Sequence, residues 1–314
     1  MTKNDDIIDK FYKTLALKGY KGRIVHAKRI SDLRNDIKIH REQNLIYPPL
    51  YEEYKAYFEF KPNVKFSQIN SLFIIAVPVP QFKAIFHVNQ REYPTLIPPT
   101  YLYGLSITNE LQDLLSDILN PEGYNVAYAQ LPQKTLAVRC GLAEYGRNNI
   151  TYVPEMGSFH RLTSFYSDFP TEHDNWQELK MMDLCKECSA CVRKCPTGAI
   201  PTDRFLLRAG RCLTYHNEQQ GDIPFPKWID PKWHNCLVGC LHCQIVCPAN
   251  KKVRDWTELG LEFNERETKL LLGGQNLEKL PEKLKMKITE FDFERYLEIF
   301  PRNLGALLKK DQIS

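Results

Sequence analysis

The sequence predicts an α+β protein: an α/β domain over residues 1–175, a cysteine-rich module over 176–255 and a helical cap over 256–314. Three observations predict it. Residues 71–78, SLFIIAVP, form a continuous apolar run of strand length, as in a strand buried on both faces. All ten cysteines except Cys140 fall within residues 184–249. The stretch after Trp256 is charged and amphipathic, broken at Gly273 and Gly274.

The composition bounds the answer before any motif does. A chain of 314 residues can bury a large core and hold two domains. Hydrophobic content of 43% and charged content of 25% are those of a globular protein. No apolar run approaches a membrane span. The first residues, MTKNDDIIDKFYKTL, carry no signal-peptide core, so a cytoplasmic protein without a membrane partner is expected. Ten cysteines in such a chain point to metal rather than disulfides. A net charge of +4 is too small to imply nucleic acid by itself.

Along the chain, Ile7, Ile8, Phe11, Tyr12, Leu15 and Leu17 recur at helical spacing and predict a helix ending at Gly19. A second helix is expected over 30–43. The strand at 71–78 ends at Pro78 and Pro80, and another is expected over 83–88. Residues 94–103, PTLIPPTYLY, read as a rigid connection. A helix over 107–119, a strand over 125–129 and a helix over 134–142 follow. LTSFYS, ending at Ser167, alternates as a strand does. In the tail, 277–287 and 293–308 have helical periodicity.

The cysteines carry the chemistry. CKECSACVRKCP places Cys185, Cys188, Cys191 and Cys195 at C-x2-C-x2-C-x3-C-P spacing. CLVGCLHCQIVCP repeats part of it through Cys240, Cys243 and Cys247. A cubane [4Fe–4S] cluster takes four thiolates. Three come from one short loop, and the cysteine before proline reaches to a second cluster. Pro196 and Pro248 each end such a loop. The doubled motif therefore predicts a ferredoxin-like module with two [4Fe–4S] clusters. Zinc ribbons are the competing reading. Crossed wiring gives Cys185, Cys188, Cys191 and Cys247 to one cluster. It gives Cys195, Cys240 and Cys243 to the other, with Cys212 or Cys236 as its fourth ligand.

Upstream, two turns stand out. Gly146, Arg147, Asn148 and Asn149 present a cation and amides. Gly157 and Ser158 make a small-residue turn beside His160 and Arg161. Surface turns with solvated charges are the plain alternative. His160 and His242 are read as hydrogen-bonded structural residues rather than metal ligands.

These residues resemble the epoxyqueuosine reductase family of tRNA modification. CxxCxxCxxxCPTGAI, then RCLTY, then GCxxCQxVCPxNK carry the resemblance, with LAVRCGL and both turns upstream and RNLGALL downstream. It implies a nitroreductase-like α/β domain holding cobalamin, and it favours Cys212 as the last ligand. Two departures concern the substrate. The family's proton-donor aspartate falls near Ala127, and its aspartate–tyrosine–histidine segment near Ser106, Ile107 and Thr108. The helical-repeat tail that helps hold tRNA is expected to be absent. GLAEYGRNN also resembles the cobalamin-dependent reductive dehalogenases, which implies Arg147 as a cation near the corrinoid. Tyr103 or Tyr101 is its implied tyrosine partner. Gly146, Asn148, Gly157 and Ser158 are the implied cofactor-binding positions.

The expected function is an iron–sulfur oxidoreductase passing low-potential electrons to a corrinoid or a substrate. A ferredoxin or flavodoxin is the expected donor, and a small molecule or a partner corrinoid protein the acceptor. The alternatives are an electron-transfer protein that activates a partner's cofactor and, ranked last, epoxyqueuosine reductase. Nucleic acid is not the expected partner.

Overall fold

The computed structural model describes residues 2–62, 64–66 and 68–313, with side chains described through residue 309. The chain divides into two compact units. One comprises Met1–Pro78, Ser106–Cys188 and Thr202–Leu206; the other comprises Val79–Leu105, Ser189–Pro201 and Leu207–Ser314.

The first unit is built on a four-stranded antiparallel sheet. Its order is Lys21–His26, Ser71–Pro78, His160–Ser167, Val126–Tyr128. Ser71–Pro78 is interior, pairing Ile74 with Arg23 on one side and with Ser164 on the other. Its seven residues from Ser71 to Val77 are all buried, which explains the unbroken apolar run. Phe73 meets Phe11 of the helix Lys3–Leu17 edge to face at 5.3 Å. Leu72, Ile74 and Ala76 join Leu136, Ala137 and Val138 of the helix Gln133–Arg139 in one core. Helices thus cover both faces, although the neighbouring strands are antiparallel. Each fully buried aliphatic side chain here contributes roughly 1.5–3 kcal/mol.

The first helix starts earlier than its apolar spacing suggests. Thr2 and Asp5 form a reciprocal capping box. Leu17, counted with the apolar face, is 90% exposed at the helix end. The strand Lys21–His26 and the helix Pro48–Tyr57 were not foreseen.

The second unit holds a three-stranded sheet with Gln81–Val88 at its centre. Arg91–Ile97 pairs with it antiparallel through a two-residue turn at Asn89 and Gln90, both at positive φ. The expected rigid connection is therefore a strand over its first four residues. Pro94 is tolerated because this is an edge strand, where a missing N–H breaks no ladder. Thr257–Phe263 pairs with the centre strand in parallel, so the tail opens with a strand rather than a helix. Leu261 and Phe263 point inward at alternate positions, and Glu258 and Glu262 hide that alternation in the sequence. The stacked pair Phe86 and Phe263, 5.0 Å apart, packs with Phe300 at the start of the helix Phe300–Ile313. Among the described residues no helix is long and apolar enough to cross a membrane.

Candidate functional site

The cysteine loops are short because each must end where a ligand is delivered. In the second unit, the five-residue helix Ala190–Lys194 carries Cys191 and stops at Cys195, where Pro196 follows. The four-residue helix His242–Ile245 carries Cys243 and gives way to the turn Pro248–Asn250 after Cys247. All ten cysteines are unpaired by disulfides.

Cys195, Cys212, Cys240 and Cys243 stand close enough that each acts electrostatically on the others. Burial drives the Cys243 thiol well above its ordinary value, and Cys240, Cys212, Cys191 and Cys195 raise it further. Cys240 is raised by burial first, then by Cys236, Cys212 and Cys195. Burial raises Cys212 as well, with Cys195 adding to it. All six pairs within the four are thereby accounted for. Cys236 also acts on Cys240. It is 1% exposed, and its backbone bridges to Leu96 beside the sheet.

Half-buried thiols that repel one another as thiolates are a poor arrangement without a cation among them, and iron supplies the charge. Among the described residues no group of three or more His, Cys, Asp and Glu is spaced for a single ion. A cubane differs there, since its four thiolates bind four different irons and stand further apart. The donor set thus fits a cluster. Cys185 and Cys188 close the middle segment of the first unit, with the chain passing into the second unit after Cys188.

A scaffold the sequence reading missed supports the Cys240 loop. Asn217 Nδ2 donates to the Gly239 carbonyl at 2.6 Å. Asn303 Nδ2 donates to the carbonyls of Asn217 and Leu237, and Arg302 Nη2 to that of Asn217. RNLGALL was the available signal: its Arg302 and Asn303 brace the loop that delivers Cys240.

In the first unit the two singled-out turns are tightly built. A Cβ on Gly146 would lie 2.5 Å from Asn148 Oδ1 and 2.6 Å from the Tyr152 ring. Asn148 donates to the Tyr152 hydroxyl and accepts from Ile150 N, so its amide works within the turn. Gly157 lies at φ +56, with Ser158 buried beside it. Arg147 Nη2 donates to the Cys185 carbonyl at 2.5 Å, tying the turn to the first cysteine loop. Its Nε is buried with no hydrogen-bond partner, an orphan donor that a bound group can use.

His160 holds neither metal nor corrinoid, because both ring nitrogens are engaged. Nδ1 donates to the Gly157 carbonyl at 3.0 Å and Nε2 accepts from Thr151 Oγ1 at 3.1 Å. Burial depresses its pKa from 6.5 to about 4. The unfolded chain therefore binds a proton that the folded chain refuses as pH falls through that window. Stability is full above pH 6.5 and declines towards pH 4, by about 3 kcal/mol in all. His160→Gln is expected to flatten this decline in urea unfolding at a series of pH values. An unchanged slope between pH 6.5 and 4 would show that another group sets it.

Tyr103 belongs to the second unit, its ring between Phe82 and Phe291 at 5.6 and 5.1 Å. Burial, then Glu290, keeps its hydroxyl protonated above the ordinary range. Tyr101 donates to Glu218 and fills the space over Gly239.

Residues 184–250 match the family model of the 4Fe-4S double cluster binding domain. The chain resembles the epoxyqueuosine reductases. It is 30% identical over 151 residues to the Bacillus subtilis epoxyqueuosine reductase, covering 46% of this chain and 37% of that enzyme. The Pseudomonas aeruginosa enzyme is 32% identical over 158 residues, covering 48% and 42%. The matched stretch thus spans less than half the length of either relative. In three dimensions, the Bacillus subtilis enzyme aligns over 98% of this chain and 81% of its own, with a TM-score of 0.67 at 21% identity. An epoxyqueuosine reductase solved with a modified tRNA stem loop aligns over 98% and 80%, with a TM-score of 0.68. The mixed α/β fold is therefore shared along nearly the whole chain. Nucleic acid was not the expected partner, and that second structure is of a protein of this fold with a tRNA stem loop.

Proposed function

We propose that this protein is a cytoplasmic iron–sulfur reductase acting through two [4Fe–4S] clusters. Cobalamin and substrate belong to its first unit, which we read as nitroreductase-like. The observation that carries the reading is the set of four mutually interacting, half-buried thiols inside the double-cluster match. When bound, the clusters supply one-electron transfer at low potential, and cobalamin a strongly reducing centre.

Cys195, Cys212, Cys240 and Cys243 hold one cluster in this reading. Cys185, Cys188, Cys191 and Cys247 hold the other by their spacing. Arg147, with its orphan Nε, stabilises negative charge developing at the reaction centre. Gly146, Asn148, Gly157 and Ser158 shape the backbone that holds that cation. Tyr103, kept protonated, is the tyrosine that the resemblance pairs with such a cation. With His160 engaged on both sides, its imidazole would not serve as a ligand to a bound corrinoid.

The relatives' names move reduction of epoxyqueuosine in tRNA ahead of the electron-carrier reading. Ala127 stands where the resemblance implies an aspartate, so the proton comes from elsewhere. The test is a titration of anaerobically reconstituted protein with cob(II)alamin, followed by an epoxyqueuosine-containing tRNA stem loop. A changed visible spectrum and conversion to queuosine are expected. An unchanged spectrum would sink the corrinoid part; bound corrinoid with an unconverted stem loop would assign another substrate. Arg147→Ala is expected to bind cobalamin and lose about a hundredfold in turnover. Undiminished turnover removes Arg147 from the mechanism.

A further inference from the structure

The second unit presents an unusual face around Cys195 and Cys212. Arg193 and Lys194 precede Cys195, Arg211 precedes Cys212, and Lys227 lies in the loop beyond; all four are exposed. Arg193 donates to Ser189, and Arg211 Nε donates to the Thr197 carbonyl at 2.8 Å. None of the four pairs with a carboxylate among the described residues. The acids of the same loops are otherwise engaged. Glu218 accepts from Tyr101, Asp230 from the Lys232 amide, and Asp222 acts on Arg302.

Trp228 follows Lys227, lies beside Arg211 and is 44% exposed. It is held from two sides. The Arg211 guanidinium lies 6.0 Å from its ring centre, and the His216 ring meets it edge-on at 5.4 Å. Arg211 and His216 are themselves fixed, His216 by Nε2 to the Gly210 carbonyl at 2.9 Å. An exposed tryptophan with its rotamer fixed loses little entropy on docking, and tryptophan and arginine are the side chains that anchor protein interfaces.

We propose that this face docks the acidic surface of a protein electron donor, a small flavin or iron–sulfur carrier. The inference rests on the two-cluster reading above. One electron leaves the donor and the cluster is reduced by one; no bond is made or broken. Tunnelling falls steeply with distance, so a donor must approach over the ligands themselves. Unpaired cations there steer an acidic partner and make its approach depend on salt.

The test uses full-length reconstituted protein and stopped-flow bleaching of the cluster absorbance. Reduced flavodoxin is the protein donor, and dithionite the small one. The substitutions Lys194→Glu with Lys227→Glu break no hydrogen bond or ion pair among the described residues. They are expected to slow reduction by flavodoxin at least about tenfold at low salt and to abolish its salt dependence. Trp228→Ala is expected to weaken saturation by flavodoxin. Iron content and the dithionite rate stay at wild-type values. Flavodoxin reduction at the wild-type rate in all variants would overturn the proposal. So would normal flavodoxin reduction with lost binding of an RNA stem loop, which would give the face to nucleic acid. Absence of iron or of dithionite bleaching in the wild type is a separate outcome and defeats the cluster reading itself.

Discussion

Cys212→Ala is expected to leave about four irons per chain where the wild type holds about eight. Cys236→Ala is expected to keep about eight. The two thiols are equally plausible by spacing, since Cys236 stands at C-x3-C before Cys240 and Cys212 is the more distant in sequence. Their surroundings differ. Cys212 interacts with Cys195, Cys240 and Cys243, closing a set of four. Cys236 acts on Cys240, and its backbone is held beside the sheet by the bridge to Leu96 and the Leu237 N–H to Leu96 carbonyl bond of 3.0 Å. Iron analysis and low-temperature electron paramagnetic resonance of the reduced proteins measure the difference. Loss of iron in Cys236→Ala, with Cys212→Ala unaffected, would reverse the assignment. If Cys212→Ala keeps its iron and only the double variant loses it, Cys236 is a ligand held in reserve.

The same pair shows where sequence reasoning ends. Thiolate spacing is local, so the three-cysteine loops and their prolines could be read directly. The fourth ligand arrives from another segment, and its choice is made by tertiary packing. Strand Ser71–Pro78 was legible because burial on both faces leaves no polar position to blur it. Thr257–Phe263 was not, since only one of its faces is buried and glutamates occupy the other. Pro94 argued against a strand, and only the edge position of Arg91–Ile97 makes it compatible. Arg147 was legible as a cation in a turn. Its bond to the Cys185 carbonyl, 38 positions further along the chain, was not.

Gly239→Ala is expected to cost roughly 2–5 kcal/mol and to empty the cluster that Cys240 serves. Two effects add. Gly239 sits at φ +68, where an alanine is strained. Its Cβ would also stand 2.5 Å from the Tyr101 hydroxyl and 2.7 Å from the ring. Tyr101 cannot easily yield, because its hydroxyl is bound to Glu218 and its ring packs on Tyr296 at 5.5 Å. The loop would have to shift instead, and Cys240 is the next residue. The Asn217 bond to the Gly239 carbonyl would be strained with it. Gly239→Asn separates the two effects, since asparagine tolerates a left-handed backbone but still meets Tyr101. It is therefore expected to recover part of the loss, and a second change, Tyr101→Ala, to recover more of the steric part in a double-mutant cycle. Thermal unfolding and iron content of anaerobic protein are the readouts. A Gly239→Ala protein with wild-type stability and about eight irons would mean that the loop accommodates a side chain there, and that Tyr101 does not fix the position of Cys240.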